Sequence, residues 1–138
     1  MKPLPVDLGE LAAVFDQPRR APVRTFFDRA TGDLEPMPRD VEVQDFDDVL
    51  AAPERWVEVL PLPLGERLGL RRRFVDEVSD PQARLRLMDA LAGERPLAAF
   101  DAVLRGTPGL LDDWLAFRGK ALAVLARAWL SALGVLAL

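Results

Sequence analysis

The sequence lacks cysteine, histidine and tyrosine, and its 138 residues also include no asparagine or isoleucine. Without these side chains the protein cannot build a histidine-activated nucleophile, a zinc site of cysteine and histidine ligands, or a tyrosyl acid. Lysine is scarce as well, because Lys2 and Lys120 are the two lysines among 18 basic residues. We therefore expect no catalytic residue, no metal and no cofactor, and the sequence says more about architecture than about chemistry.

Charge and hydropathy are those of a compact soluble protein. Half of the residues are hydrophobic, and 22 acidic residues against 18 basic ones give a net charge of −4. A chain of this length buries roughly two thirds of its unfolded surface, which is enough for one core without a disulfide. We expect a single domain over residues 1–138. The absence of cysteine and of an apolar N-terminal leader favours the cytoplasm, and the acidic balance makes nucleic acid an improbable partner.

The N-terminal part of the sequence predicts a helix followed by a small sheet. Asp7 and Glu10 have the spacing of a helix cap, and Pro18 prevents the helix from continuing far past Asp16. Alternating side chains then predict a strand over residues 23–28, a turn around Gly32, a return strand over 34–37 and a third strand over 56–60.

The remainder of the sequence predicts about four helices, which start near Leu64, Pro81, Pro96 and Leu110 and are separated by proline, glycine and capping residues. In the first of them, the apolar stripe comprises Leu68, Leu70, Phe74, Val75 and Val78, which places the arginines mainly outside it. In the second, the apolar residues are Leu85, Met88, Ala90 and Leu91. The predicted fold is α+β: a short N-terminal helix, a small antiparallel sheet and a C-terminal helical bundle.

The last helix raises the question of a membrane. Residues 121–138 are apolar except for Arg127 and Ser131, a length that is marginal for a span. An arginine at the centre of a span costs about 2.5–3.5 kcal/mol, so we expect a helix of a soluble protein and no membrane partner.

Several segments together resemble a known family. Residues 27–34, 56–61, 74–80, 90–93, 100–104, 114–117 and 126–130 follow the order and approximate spacing of the uncharacterised bacterial family UPF0158. The resemblance covers about residues 6–130 and implies a small bacterial cytoplasmic protein without an assigned activity. It supplies no catalytic residue. Members of that family carry paired arginines after the helix-ending glycine, whereas residues 94–100 here keep only Arg95.

Two charged clusters have a functional and a structural interpretation. The basic cluster comprises Arg67, Arg71, Arg72 and Arg73, which could contact an anion or nucleic acid. Successive helical residues point about 100° apart, so a solvated helix face is the more ordinary interpretation. The acidic cluster, Asp45, Asp47 and Asp48, could hold Mg²⁺ for an enzyme but lacks the glycine and distal glutamate of a calcium loop; an enzyme is the least favoured alternative.

The apolar C-terminal tail is the feature that most favours a function. Polar, frayed ends are usual, whereas this tail is a candidate partner interface through Trp129, Leu133, Leu136 and Leu138. The sequence leaves open whether the tail closes its own core or covers a second copy. The leading hypothesis is a non-enzymatic protein-interaction or regulatory module, with a homodimer as one form of the interaction. The alternative hypothesis is binding of an anion or nucleic acid through the arginines of the basic cluster.

Overall fold

The computed structural model describes residues 1–39, 49 and 51–138. The chain divides into two compact units. The sheet unit comprises Met1–Leu62 and Ala121–Leu138, and the helical unit comprises Pro63–Lys120. The described residues form five helices, a three-stranded antiparallel sheet and a two-stranded parallel sheet, which confirms the α+β class. The expectation of a single domain stays a prediction.

The sheet unit begins with a strand that the sequence did not predict. Its elements are β1 (Lys2–Leu4), α1 (Leu8–Phe15), β2 (Val23–Asp28), β3 (Leu34–Pro38), β4 (Trp56–Val59) and β5 (Val135–Ala137). The predicted cap of α1 is confirmed, because the Asp7 carboxylate accepts a hydrogen bond from the Glu10 N–H at 3.0 Å. The predicted hairpin and third strand are confirmed too, in the antiparallel order β3-β2-β4.

The hairpin turn between β2 and β3 requires glycine at one position. Gly32 has a φ of 87°, which L side chains rarely adopt. A Cβ atom added there would lie 2.9 Å from the Pro5 carbonyl oxygen, so the site is also too crowded for a side chain. The turn thereby packs closely against the backbone that follows β1.

Aromatic side chains fill the core of the sheet unit. Phe27 of β2 is fully buried, and its ring centroid lies 5.6 Å from that of Trp129 in an edge-to-face arrangement. Phe15 of α1 meets the same indole at 6.3 Å. Edge-to-face packing at these distances adds stabilisation beyond simple burial, so Trp129 joins helix, sheet and tail within one core.

The helical unit contains α2 (Leu64–Glu77), α3 (Pro81–Leu91), α4 (Pro96–Gly106) and the first half of α5 (Leu110–Ala132). The predicted break between α2 and α3 is confirmed, because Asp80 caps α3 through the Gln82 N–H at 3.2 Å and Pro81 occupies the first turn. Gly109, directly before α5, has a φ of 78°, a conformation that glycine adopts without strain.

Two helix faces differ from the sequence prediction. Arg67 and Arg71 lie on the buried stripe of α2 together with Leu70 and Phe74, because positions spaced by three and four residues share one face. On α3 the buried residues are Ala83, Leu87 and Ala90. Leu85 and Met88, two of the apolar residues that the sequence analysis names in this helix, are instead 59% and 53% exposed.

The helices do not provide a membrane span. Within residues 1–39, 49 and 51–138, no helix has both the length and the mean hydropathy needed to cross a bilayer.

Candidate functional site

The structure separates the four arginines of the basic cluster into two pairs. Arg67 and Arg71 are each 7% exposed, whereas Arg72 and Arg73 are exposed. The Arg71 guanidinium lies 4.9 Å from the Trp114 ring centroid and donates a hydrogen bond to the Arg67 carbonyl oxygen at 3.1 Å. Arg67 and Arg71 therefore belong to the interior of the helical unit, and Arg72 and Arg73 remain as surface cations.

Arg72 borders an apolar groove on the helical unit. The groove has a volume of about 510 Å³ and is lined by Arg72, Val75, Asp76, Met88, Leu91 and Ala92. Its rim carries one charge of each sign, which gives no preference between an acidic and a basic partner. Its apolar floor is suited to contact with an apolar group, and nothing else in its lining defines that group.

Carboxylates do not form a metal site in the part of the chain that the structure describes. Asp45, Asp47 and Asp48 lie outside the described residues. Among the residues that the structure describes, no group of three or more acidic side chains lies close enough together to hold a metal ion.

Asp28 is a buried carboxylate at the end of β2, and its hydrogen-bonding capacity is committed to the fold. It accepts bonds from the Arg55 guanidinium at 3.0 and 2.9 Å, from the Ala30 N–H at 2.9 Å and from the Thr31 hydroxyl at 3.0 Å. The Arg55 hydrogen bond is the main reason that the pKa of Asp28 falls to about 2. Asp28 therefore holds the hairpin turn.

A small pocket of about 160 Å³ lies beside β2 and β4. Arg24 and Glu58 form a two-pronged ion pair at its wall, with distances of 2.9 and 2.8 Å, and the hydrogen bond from Arg24 lowers the pKa of Glu58. Arg39 also lines the pocket and donates hydrogen bonds to the Arg19 and Ala21 carbonyl oxygens. Arg24 and Glu58 thus pair with each other and Arg39 bonds to backbone oxygens, which is an arrangement typical of structural contacts.

The predicted tail interface divides into an inner and an outer half. Trp129 packs against the aromatic core, and Leu133 is half-buried, with its carbonyl oxygen accepting a hydrogen bond from Arg29 at 3.3 Å. Leu136 and Leu138 are instead 52% and 78% exposed. The outer half is thus the part of the tail that is available to a partner.

The tail ends as strand β5, which pairs in parallel with β1. The ladder begins with the Lys2 N–H donating to the Gly134 carbonyl oxygen and ends with the Leu138 N–H donating to the Leu4 carbonyl oxygen, both at 2.9 Å. In a parallel ladder alternate residues bond to the neighbour. Gly134, Leu136 and Leu138 therefore face β1.

The intervening residues of β5 point their backbone groups away from β1. Val135 is 3% exposed, so its backbone is covered, whereas Ala137 is half-buried. We define the C-terminal edge as the outward N–H and C=O of Ala137 with the side chains of Leu136 and Leu138. Within the described residues this sheet has two strands, and no third strand lies beside Ala137.

The apolar character of this edge was visible in the sequence, and its strand geometry was not. Alanine and leucine favour helices over strands, and the pairing partner of β5 lies at the other end of the chain. Residues 135–138 read Val-Leu-Ala-Leu and are all apolar, so no alternation of polar and apolar residues indicated a strand there.

Comparisons with known proteins agree on one family. A family model described as an uncharacterised protein family (UPF0158) matches residues 1–135. A UPF0158 protein of Pseudomonas aeruginosa is 31% identical over 131 residues, which cover 94% of this chain and 84% of that protein. No solved structure matches the chain.

Proposed function

This chain belongs to the uncharacterised protein family UPF0158, and from that premise we propose that it is a non-enzymatic protein-interaction module whose contact surface is the C-terminal edge. The observation that supports this function is the exposure of Leu136 and Leu138 on a strand that offers outward backbone groups at Ala137. A cytoplasmic location and a regulatory role for the interaction are part of the same proposal.

The chemistry of the edge suits addition of an extended segment. In strand addition, backbone hydrogen bonds supply affinity and alternate side chains supply specificity. Ala137 offers one donor and one acceptor, and its two leucine neighbours project from the exposed face of the sheet. Because β5 itself contains no charge, the expected partner segment is an apolar strand.

Anion or nucleic-acid binding is the weaker candidate. Two of its four arginines, Arg67 and Arg71, are buried. Arg72 and Arg73 are exposed, but Asp76 and Glu77 follow them by four residues on the same helix, where opposite charges are neighbours. This face of α2 therefore has little net charge, while affinity for phosphate backbones depends on accumulated positive charge.

The enzyme alternative has less support than either. Its proposed acidic residues lie outside the described residues. Asp28, the most buried carboxylate among the residues that the structure describes, is hydrogen-bonded to Arg55, Ala30 and Thr31. A general acid or base needs a carboxyl group within reach of a substrate proton, and Asp28 has its oxygens committed to the turn.

A peptide titration tests the proposed surface. The full chain, labelled with ¹⁵N, is titrated with a synthetic peptide of residues 133–138 that carries terminal lysines for solubility, and amide shifts are followed by NMR. We expect saturable shifts in β1 and β5 at peptide concentrations of about 0.1–1 mM. The control is the same peptide with proline at the position of Ala137, which lacks the central N–H and should bind more weakly.

Two results would contradict the proposed function. One is the absence of shifts in β1 and β5 with either peptide. The other is a set of shifts confined to Met88 and Leu91, because binding would then occur at the groove of the helical unit and not at the C-terminal edge.

A further inference from the structure

We infer that the partner at the C-terminal edge is a second copy of this chain, and that the two β5 strands pair antiparallel across a two-fold axis at Ala137. The inference rests on the proposed function, since it names the occupant of the same surface. Three observations carry it: the difference between the two edges of the sheet, the burial of Val135 and the spacing of the exposed leucines.

The two edges of the β1–β5 sheet are unequal. The outer edge of β1 presents Pro3, which has no N–H, and Pro5 follows it. The Pro5 carbonyl oxygen is also closely approached by Gly32 of the hairpin turn. Prolines are typical of edges that do not accept another strand, so a further strand can add to this sheet only beside β5.

One usable edge in the β1–β5 sheet restricts assembly through that sheet. A contact between β5 of one copy and β1 of the next would extend into a filament, but the proline-bearing edge of β1 cannot donate the required hydrogen bonds. Pairing of β5 with β5 uses the same surface on both copies. Such a contact closes at two copies, which gives a dimer with a four-stranded sheet at its centre.

The burial of Val135 sets the register. Two antiparallel strands can place either a hydrogen-bonded or a non-hydrogen-bonded pair of residues on the two-fold axis. An axis at Leu136 is the non-hydrogen-bonded case, and it would pair the outward backbone groups of Val135 with Ala137 of the other copy. Val135 is 3% exposed, which excludes that register. With Ala137 on the axis, each Ala137 N–H donates to the Ala137 carbonyl oxygen of the other copy.

The same register brings the exposed leucines together. Leu136 of one copy stands directly opposite Leu138 of the other, and the reverse pair is formed by symmetry. Directly opposed residues have Cβ atoms about 4.5–5.5 Å apart, so all four leucines lose exposed surface. The contact is small, which predicts a weak dimer with a dissociation constant on the order of 0.1–1 mM.

Net charge supplies an independent expectation. Each copy carries a net charge of −4, so two copies repel one another, while the contact itself is apolar. Salt screens that repulsion. Association should therefore strengthen as the salt concentration rises, which is the opposite of the behaviour of a partner held by complementary charge.

Analytical ultracentrifugation of the full chain tests the inference. The wild-type chain is compared with Ala137→Pro over protein concentrations of about 10 µM to 1 mM. Ala137→Pro removes the N–H that would cross to the other copy and keeps the bonds from Leu136 and Leu138 to β1. We expect at least a tenfold weaker association, with circular dichroism and melting temperature close to those of the wild type.

Leu138→Asp is a second variant that keeps the test decisive if Ala137→Pro fails to fold. It places two charges beside the opposed leucines and should also weaken association at least tenfold. The matched control is Val124→Lys, which charges another apolar residue, 70% exposed on α5, and should leave association unchanged.

The outcomes separate this inference from the proposed function. A wild-type chain that stays monomeric up to 1 mM while the 133–138 peptide still binds would overturn the second copy as partner and leave the edge as an interaction surface. A dimer that persists in both variants would overturn the inference as well, because the contact would then lie elsewhere.

Discussion

The sheet unit and the helical unit place a charged side chain in their interior in different ways. In the sheet unit the Asp28 carboxylate is buried at a turn and pairs with Arg55. In the helical unit the Arg71 guanidinium is buried beside aromatic rings, 4.9 Å from Trp114 and 5.6 Å from Phe100. A carboxylate concentrates its charge on two oxygen atoms and needs hydrogen-bond donors around it. A guanidinium spreads its charge over a planar, weakly hydrated group and can stack on aromatic rings.

The difference shows how each unit obtains a defined core. The hairpin of the sheet unit is held in place by directional hydrogen bonds to Asp28, and those bonds depend on its ionised state. The helical unit depends on contact between rings, with Phe74 as a common neighbour of Phe100, Trp114 and Phe117. We therefore expect acid to lower the stability of the sheet unit through protonation of Asp28, and we expect the loss of an aromatic ring to lower the stability of the helical unit.

The largest effect is expected from Phe74→Ala in the helical unit. Phe74 is 3% exposed and its ring centroid lies 5.4 Å from those of Trp114 and Phe117. Its removal leaves a cavity, which should reduce the free energy of unfolding by about 3–5 kcal/mol. Urea unfolding followed by tryptophan fluorescence measures the change. Leu115→Ala, at a position 43% exposed on α5, is the control and should cost less than about 0.5 kcal/mol.

A loss below about 1.5 kcal/mol for Phe74→Ala would contradict this account of the helical unit, because it would mean that the ring cluster is not the main source of its packing.

The next effect is the pH dependence of the sheet unit. The pKa of Asp28 is about 2 in the folded chain and 3.8 in its ordinary state. Because the folded value is the lower one, the contribution is fully present above pH 3.8 and is lost as the pH falls towards 2. That contribution is on the order of 2 kcal/mol. Asp28→Asn should therefore destabilise the chain near pH 7, and the difference from wild type should narrow in acid.

Arg55→Met is the companion variant for this measurement. It removes the main cause of the low pKa of Asp28, so the folded and unfolded pKa values should approach each other and the acid-induced loss of stability should become smaller than in the wild type. The free energy of unfolding is measured by chemical unfolding between pH 2 and 7, a range that includes both pKa values of Asp28. Equal pH profiles for the wild type and Asp28→Asn would show that Asp28 is not the group that makes the stability of the hairpin depend on pH.

The smallest effect is expected from Arg71→Met, which keeps an apolar stem and removes the cation. The variant loses the cation–π contacts to Phe100 and Trp114 and the bond to the Arg67 carbonyl oxygen. We expect a destabilisation of about 1–2 kcal/mol. Arg72→Met, on the exposed side of the same helix, is the control and should stay within about 0.5 kcal/mol. Equal effects of the two substitutions would show that burial of Arg71 contributes nothing specific.

The local features of the fold were predictable from sequence. Capping at Asp7 and Asp80, the turn at Gly32 and the proline-marked helix starts depend on a few adjacent residues, and the structure confirms them. The α2 prediction was wrong at Arg67 and Arg71, because a hydropathy pattern treats arginine as polar throughout. A long arginine side chain can bury its stem and stack its head on rings.

The parallel pair of β1 and β5 was not predictable in the same way. Its register joins Lys2 with Val135 and Leu4 with Ala137, and no local pattern relates positions so far apart. The sequence therefore indicated an apolar tail with a contact function, and it named Leu136 and Leu138 among the contact residues. The sequence could not show that Trp129 packs in the core while Leu136 and Leu138 stay exposed, because the covered side of a strand or helix depends on the element that packs against it.

The parallel pairing of β1 with β5 also has a mechanical consequence. In this register Lys2 opposes the start of β5, while Ala137 opposes the end of β1. A stretching force applied between residues 2 and 137 would pull at opposite ends of the ladder, so its hydrogen bonds would be loaded together in shear and not opened one after another.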